Sequence, residues 1–175
     1  MNTRKTKIVL DTDVIVHFAK GGKLPMLPRI FPEYQFMVLN IVKQEIPQLL
    51  LFELDRLIKK DKTVTEAMFG ESAGEIKEYA RLIDKKGPAL GKGESACMVY
   101  CLFHHDVVGS SNTKDVTAYC EEKGITYLTT NDFLYYAIRR GLMTVKEAET
   151  FVKDVRSKGS YPPIVDFEKY VCNKL

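Results

Sequence analysis

Several features are absent from this sequence of 175 residues. It has no apolar run near the roughly 18 to 20 residues that a membrane helix needs. Its opening segment, MNTRKTKIVLDTD, lacks the apolar stretch and small-residue cleavage site of a secretory signal peptide. We therefore expect a cytoplasmic protein without membrane contact. The net charge of only +3 permits phosphate-rich partners but does not by itself indicate nucleic-acid binding.

Motifs for zinc and for nucleotide phosphates are also missing. The four cysteines form no CxxC pair and have no histidine at zinc-finger spacing, so we expect buried, free thiols. The glycine-rich stretch Gly91-Lys-Gly93-Glu94 lacks the terminal Gly-Lys-Ser/Thr of a phosphate-binding loop, which disfavours nucleotide hydrolysis. The three histidines have neither the spacing nor the partners of a zinc or triad site.

The chain does have the composition and pattern of a globular α/β domain. Hydrophobic residues make up 45% and charged residues 28%, which suits a single domain spanning residues 1–175. Short apolar runs alternate with helical patterns, and the stretch 49–86 is helical and charged, with a break near Phe69-Gly70. This alternation predicts three layers, with a mostly parallel central sheet of four or five strands flanked by helices. The predicted strands are 7–10, 35–39, 106–109 and 124–130.

Acidic and amide side chains follow several of these strands. Asp11, Asn112 and Asp132 come at or just after predicted strand ends, and Glu45 and Glu94 lie near the starts of helices that follow. Ligands of parallel sheets bind at the carboxyl ends of the strands. Clustered carboxylates repel one another unless a cation neutralises them, and oxygen ligands suit Mg²⁺ or Mn²⁺. The pattern therefore indicates a divalent metal site.

Each acid also has a purely structural interpretation. Asp11-Thr-Asp13 is suited to capping the following helix, and the negative charge of Glu94 in a first turn is stabilised by the helix dipole. Glu45 and Asp115 could be solvated helix residues. The metal site is favoured by the combination, because capping does not require acids after several different strands.

The motifs around these acids resemble the PIN domain family, whose prokaryotic members are largely VapC-type ribonuclease toxins of toxin–antitoxin pairs. Val9-Leu-Asp11-Thr-Asp13-Val-Ile is similar to the family's first-strand signature, and 38–46 is similar to its second motif, a strand followed by a helix with a glutamate. Gly91-Lys-Gly93-Glu94-Ser-Ala is similar to a Gly-Glu-x-Glu-Ala motif of one PIN subgroup. The resemblance covers nearly the whole chain and makes Asp11, Glu45 and Glu94 the first three catalytic acids.

The position of the fourth acid departs from the family pattern, since it holds Asn112. An amide can bind a metal only through a neutral oxygen. Asp115 lies one helical turn further on and could supply the missing charge. Asp132, after the later strand, is the rival candidate, and we rank Asp115 above it.

The resemblance implies an Mg²⁺- or Mn²⁺-dependent endoribonuclease, a toxin whose antitoxin buries the acidic site, and a homodimer. It implies metal ligands at Asp11, Glu45, Glu94, Asn112 and Asp115, the four acids among these being catalytic. It places further residues around the substrate or behind the ligands: Asp13, Asn40, Ser110, Ser111 and Asp132. The alternative is a PIN-fold module that has lost catalysis through Asn112 and binds RNA or protein.

Two surface features also bear on possible partners, an apolar helix and a group of basic residues. The crowded apolar residues of 133–138 exceed what one buried helix face requires, which favours a subunit contact. The basic residues near the end of the chain could follow RNA phosphates or form a solvated face. They are Arg139, Arg140, Lys153, Arg156 and Lys158.

Overall fold

A five-stranded, all-parallel sheet forms the centre of the molecule in this computed structural model, which describes residues 4–84 and 90–175. The strand order is β3-β2-β1-β4-β5. The strands are β1 Lys7–Leu10, β2 Gln35–Leu39, β3 Val64–Ala67, β4 Val107–Gly109 and β5 Tyr127–Leu128. The α/β fold class predicted from the alternation of strands and helices is confirmed.

Helices connect the strands and flank the sheet. They are α1 Thr12–Lys20, α2 Leu27–Ile30, α3 Asn40–Glu45, α4 Gln48–Lys59, α5 Ala73–Ile83, α6 Lys92–His104, α7 Thr113–Lys123, α8 Thr130–Arg139 and α9 Val145–Ser157. A short 3-10 turn, Leu24–Met26, precedes α2. None of the helices within the described residues combines the length and the apolar character that crossing a membrane would require.

Strand β1 is central because its residues can be buried on both sides. Ile8, Val9 and Leu10 have no exposed surface, and β-branched side chains suit such a strand. β1 pairs with β2 on one side and with β4 on the other, with Leu10 opposite Val38 and Gly109. Residues 8–10 thus pair in parallel with 107–109. This pairing brings the carboxyl ends of β1 and β4 side by side.

The prediction of only helices between 49 and 86 was wrong in one place. Residues Val64–Ala67 form β3, a parallel edge strand beside β2, whereas α4 and α5 confirm the helices on either side. The last two residues of that stretch, 85–86, lie outside the described residues. Asn40 is the first residue of α3, and Leu39 occupies the N-cap position. β5 is also shorter than the predicted strand 124–130.

Candidate active site

Asp11 stands directly after β1, at the N-cap position of α1, yet its side chain makes no capping hydrogen bond. Its carboxylate instead accepts a hydrogen bond from the Ser110 hydroxyl, at 3.1 Å, across the end of β4. The side chain is buried, with the residue 4% exposed. Burial and the nearby charge of Asp13 raise the pKa of Asp11 to about 7. The structure thus disfavours a simple capping role.

Glu94 lies in the first turn of α6 and is 7% exposed. The Asn112 amide donates a hydrogen bond to its Oε2 at 2.9 Å, whereas its buried Oε1 has no hydrogen-bond partner. Burial and the charge of Asp11 raise the pKa of Glu94 to about 7, against the lowering effect of the Asn112 hydrogen bond. An unpartnered carboxylate oxygen in a buried position is costly unless a proton or a cation meets it.

Glu45 ends α3 and is held from two directions. The Gly93 backbone N–H donates to its Oε1 at 2.9 Å, and the Thr12 hydroxyl donates to its Oε2 at 2.8 Å. A Cβ at position 93 would lie 2.6 Å from the Glu45 carboxylate, so only glycine leaves room for this approach. The Gly-Lys-Gly-Glu stretch therefore positions two acids, Glu94 directly and Glu45 through the backbone.

Asp13 and Asp115 are electrostatic neighbours of these acids. The charges of both Asp115 and Asp13 raise the pKa of Glu94. Burial and the charge of Glu45 raise the pKa of Asp13 itself. Asp115 is part-buried in the first turn of α7. The fold thus gathers negative charge from α1, α3, α6 and α7 at the carboxyl ends of β1 and β4.

The acids do not form a finished metal centre as their side chains stand. Among residues 4–84 and 90–175, no group of three or more His, Cys, Asp or Glu side chains is arranged to hold an ion. Glu45 is turned toward Gly93 and Thr12, and the Asn112 amide nitrogen, rather than its oxygen, meets Glu94. The unpartnered Oε1 of Glu94 and the raised pKa values of Glu94 and Asp11 nevertheless fit a nearby cation.

Asp132 serves a different local structure. Its carboxylate accepts from the backbone and hydroxyl of Thr129, forming a capping box at the start of α8. The Lys174 ammonium lies 2.8 Å from Oδ2, and the Tyr170 hydroxyl donates to Oδ1 at 2.7 Å. Burial alone would raise the pKa of Asp132, but the hydrogen bonds from Lys174, Thr129 and Tyr170 hold it below its usual value. Its charge is already paired.

Ser111 belongs to a row of hydrogen-bonded side chains with Thr130 and His17. Its hydroxyl oxygen lies 2.5 Å from the Thr130 hydroxyl, which lies 2.8 Å from His17 Nδ1. Burial and the charge of Lys20 lower the pKa of His17 to about 4, so this imidazole is neutral at physiological pH. Asn40 also has a local partner, since its Oδ1 accepts from the Phe69 backbone N–H at 2.9 Å.

Comparison with known proteins adds a likeness to solved structures. No family model matches the sequence, and no curated protein matches it. Among solved structures, the chain is similar to a PilT N-terminus domain protein from the hyperthermophilic archaeon Sulfolobus solfataricus P2. The identity is 15% and the TM-score 0.44, over 74% of this chain and 91% of that one. An identity and a TM-score this low do not indicate a function. The residues of the site must do so.

The aromatic excess on α8 is accounted for within the chain. Phe133 and Leu134 are fully buried. Tyr136 packs against Phe31 with ring centroids 4.9 Å apart, and Tyr135 packs against Tyr170 at 6.1 Å. Phe31 and the C-terminal segment therefore contact the face that favoured a subunit contact. The homodimer stays a prediction from the family resemblance alone.

The cysteines and two of the basic residues make only local structural contacts. The four cysteines are free and buried, as expected: Cys97, Cys101, Cys120 and Cys172. Arg140 pairs with Glu33, and Arg156 donates to the Pro162 carbonyl oxygen at 2.9 Å. Sequence reasoning missed Thr12 and Gly93 as the groups that hold Glu45. The glycine was visible in the motif, but its contact with Glu45, 48 residues away, was not.

Proposed function

We propose that this protein is a Mg²⁺- or Mn²⁺-dependent endoribonuclease. The observation that carries the proposal is the buried pair Asp11 and Glu94, whose pKa values are both raised to about 7 while Glu94 Oε1 lacks a partner. A chain that gathers unneutralised carboxylates at the ligand-binding edge of a parallel sheet gains stability when a cation arrives. Oxygen donors favour Mg²⁺ or Mn²⁺ over softer metals.

Asp11 and Glu94 would be the main metal ligands, with Glu45, Asn112 and Asp115 around them. When bound, such an ion would supply positive charge that stabilises the phosphate of a phosphodiester, and it would lower the pKa of a bound water. Ser110 keeps the Asp11 carboxylate in place, while Thr12 and the Gly93 N–H keep Glu45 oriented beside it. The negative charge of these carboxylates also repels RNA phosphates, so a bound cation would strengthen the binding of RNA at this edge.

The deciding experiment is a cleavage assay on single-stranded RNA with titrated Mg²⁺ or Mn²⁺ and with EDTA. We expect metal-dependent cleavage by the natural sequence and none by Asp11→Asn. Isothermal titration of Mg²⁺ should give one binding event that the same variant loses. Cleavage that persists in EDTA, or that Asp11→Asn retains, would rule the proposal out.

We further propose a toxin role with an antitoxin partner that buries the acidic site. This finer assignment is supported only by the resemblance of the Asp11, Glu45 and Glu94 motifs to VapC-type PIN domains. Induced expression of the natural sequence should arrest growth of a bacterial host, whereas the Asp11→Asn variant should not. Equal growth of both cultures would remove the toxin role.

A second candidate function is a PIN-like module that binds RNA or protein without cleaving it. The position of Asn112 favours it, because an amide stands where the family has an acid and its nitrogen already satisfies Glu94 Oε2. Asn112→Asp separates the two candidates. An inactive natural protein that gains metal-dependent cleavage through this change would establish the second.

A further inference from the structure

A cavity of about 280 Å³ adjoins the acidic site and has no role in the function proposed so far. Asp13 and Ser111 line its inner side, each next to the residues that build the site. Its other lining residues are His17, Ser160, Tyr161, Pro162 and Pro163. The lining is mainly polar, and the volume suits one small planar group rather than a larger ligand.

One wall of the cavity, residues 160–163, is fastened to the body of the protein at several points, as is the preceding Lys158. The Lys20 ammonium donates to the Lys158 carbonyl oxygen and to the Ser160 hydroxyl, both at 2.8 Å. Arg156 donates to the Pro162 carbonyl oxygen, and the Asn131 amide donates to the Pro163 carbonyl oxygen at 3.0 Å. The wall is therefore held in place before any ligand arrives, which lowers the entropic cost of binding.

Tyr161 gives this wall an aromatic surface. The residue is 70% exposed, although an aromatic ring of this size gains little from contact with water. The Arg156 guanidinium lies 5.3 Å from the ring centroid, so the ring already has a cation on one side. An exposed aromatic ring supported by arginine is the kind of platform on which unpaired bases stack.

The floor of the cavity offers a hydrogen-bonding edge. His17 is buried and neutral, and its Nδ1 is engaged by Thr130, whose position is in turn fixed by Ser111. Nε2 is the remaining polar atom of a ring that cannot turn freely. A neutral imidazole in a fixed orientation can pair with one edge of a base, and it does not add charge to the pocket.

We propose that this cavity binds one unpaired nucleobase of the RNA substrate, stacked on Tyr161 and contacted at its edge by His17. The inference rests on the proposed nuclease function, because the RNA strand that enters the cavity is the one presented to Asp11 and Glu94. Only an unpaired base can enter the cavity. A duplex cannot insert a base without breaking a pair.

The test measures RNA binding separately from cleavage. A short fluorescein-labelled single-stranded RNA is titrated with the full chain in EDTA, and binding is followed by fluorescence anisotropy. Tyr161→Ala should weaken binding by about tenfold, because stacking on an aromatic ring contributes ~1 to 3 kcal/mol per base. Tyr161→Phe should bind like the natural sequence, and a duplex of the same sequence should bind more weakly than the single strand.

Ile164→Ala is the matched control, since Ile164 is 74% exposed on the same segment but does not line the cavity. It should leave binding unchanged. His17→Gln should alter the relative affinities for oligo-A, oligo-C and oligo-U, whereas Tyr161→Ala should weaken all three. Equal binding by the two alanine variants, or equal binding of duplex and single strand, overturns the base pocket.

Cleavage data keep this inference distinct from the proposed function. In the presence of Mg²⁺, Tyr161→Ala should raise KM and leave kcat nearly unchanged, because stacking contributes equally before and during the reaction. Metal-dependent cleavage with an unchanged KM in Tyr161→Ala removes the base pocket and leaves the nuclease. The expected binding pattern without any cleavage supports the pocket and removes the nuclease.

Discussion

Two carboxyl groups in this protein are held in an environment that favours their protonated forms. Asp11 has its pKa raised from 3.8 to about 7 by burial and by Asp13, and Glu94 has a pKa of about 7 for related reasons. The folded state then binds these protons more tightly than the unfolded chain. The resulting stabilisation is complete below about pH 4 and is lost as the pH rises through about 7.

Asp11→Asn should therefore stabilise the protein at pH 7.5 and do so clearly less at pH 4.5. A shift of about three pKa units corresponds to ~4 kcal/mol, and part of it remains in Glu94, so we expect a gain of about 2 kcal/mol. Urea denaturation of both proteins at the two pH values measures it. Taking the difference between the proteins cancels the opposite contribution of His17, whose pKa is lowered. A variant less stable than the natural sequence at pH 7.5 contradicts the expectation.

A divalent ion should remove the same penalty in the natural sequence. At pH 7.5, Mg²⁺ at a hundred times its dissociation constant is expected to add ~2.7 kcal/mol of stability, a rise of several degrees in Tm. Asp11→Asn should show almost none of this rise. Differential scanning fluorimetry with Mg²⁺, and with Na⁺ at equal ionic strength, gives the comparison; equal shifts in both proteins would place the ion elsewhere.

Among the elements, the start of α6 acts on two acids at once. Gly93→Ala should displace Glu45, because the new Cβ would lie 2.6 Å from its carboxylate oxygen. We expect cleavage to fall by at least about tenfold while the fold is retained. Gly91→Ala is the matched change, since a Cβ there meets Glu94 only at an ordinary 3.6 Å. Similar activities of the two variants would show that the position of Glu45 does not matter.

Helices α7 and α8 each carry an aspartate in their first turn, and we expect Asp115 and Asp132 to have different roles. Asp115→Asn should abolish Mg²⁺-dependent cleavage about as completely as Asp11→Asn, because Asp115 adds charge at Glu94. Asp132→Asn should cleave normally when folded but lose about 2 to 3 kcal/mol of stability, because it caps α8 and pairs with Lys174. Cleavage rates and urea midpoints of both variants test these two roles. An Asp132→Asn variant that no longer cleaves, beside an Asp115→Asn variant that does, would reverse the assignment.

The same elements show what the sequence could and could not reveal. β1 and β2 were predicted at their observed bounds, because a run of three or four consecutive apolar residues ending at a polar one marks a buried parallel strand. β3 was missed since Val64-Thr-Glu-Ala is short, half-exposed and surrounded by charged helices. Asp132 looked like a site residue because its partner Lys174 lies 42 residues further on, a distance no local pattern spans.

Self-association is a property of the whole molecule that its mass in solution can test. The family resemblance predicts a homodimer, although the α8 aromatics already contact Phe31 and the C-terminal segment of the same chain. Sedimentation velocity at micromolar concentration should give a mass near twice 20.0 kDa. A single species of 20.0 kDa would remove the homodimer. Tyr135→Ala should leave the mass unchanged, because that ring packs internally.

The strand order has a consequence for the growing chain on the ribosome. The first half supplies β1, β2 and β3 together with Asp11 and Glu45, and at that stage β1 has nothing paired along its other edge. Glu94 arrives with α6 immediately before β4, which then pairs along that edge and carries Ser110 to Asp11. Closing the sheet and assembling the carboxylates are thus one event. If the protein is the nuclease proposed above, a nascent chain stalled before residue 107 carries three of the four candidate acids but lacks β4, Ser110 and Asp115, so it should be unable to cut the transcript from which it is being read.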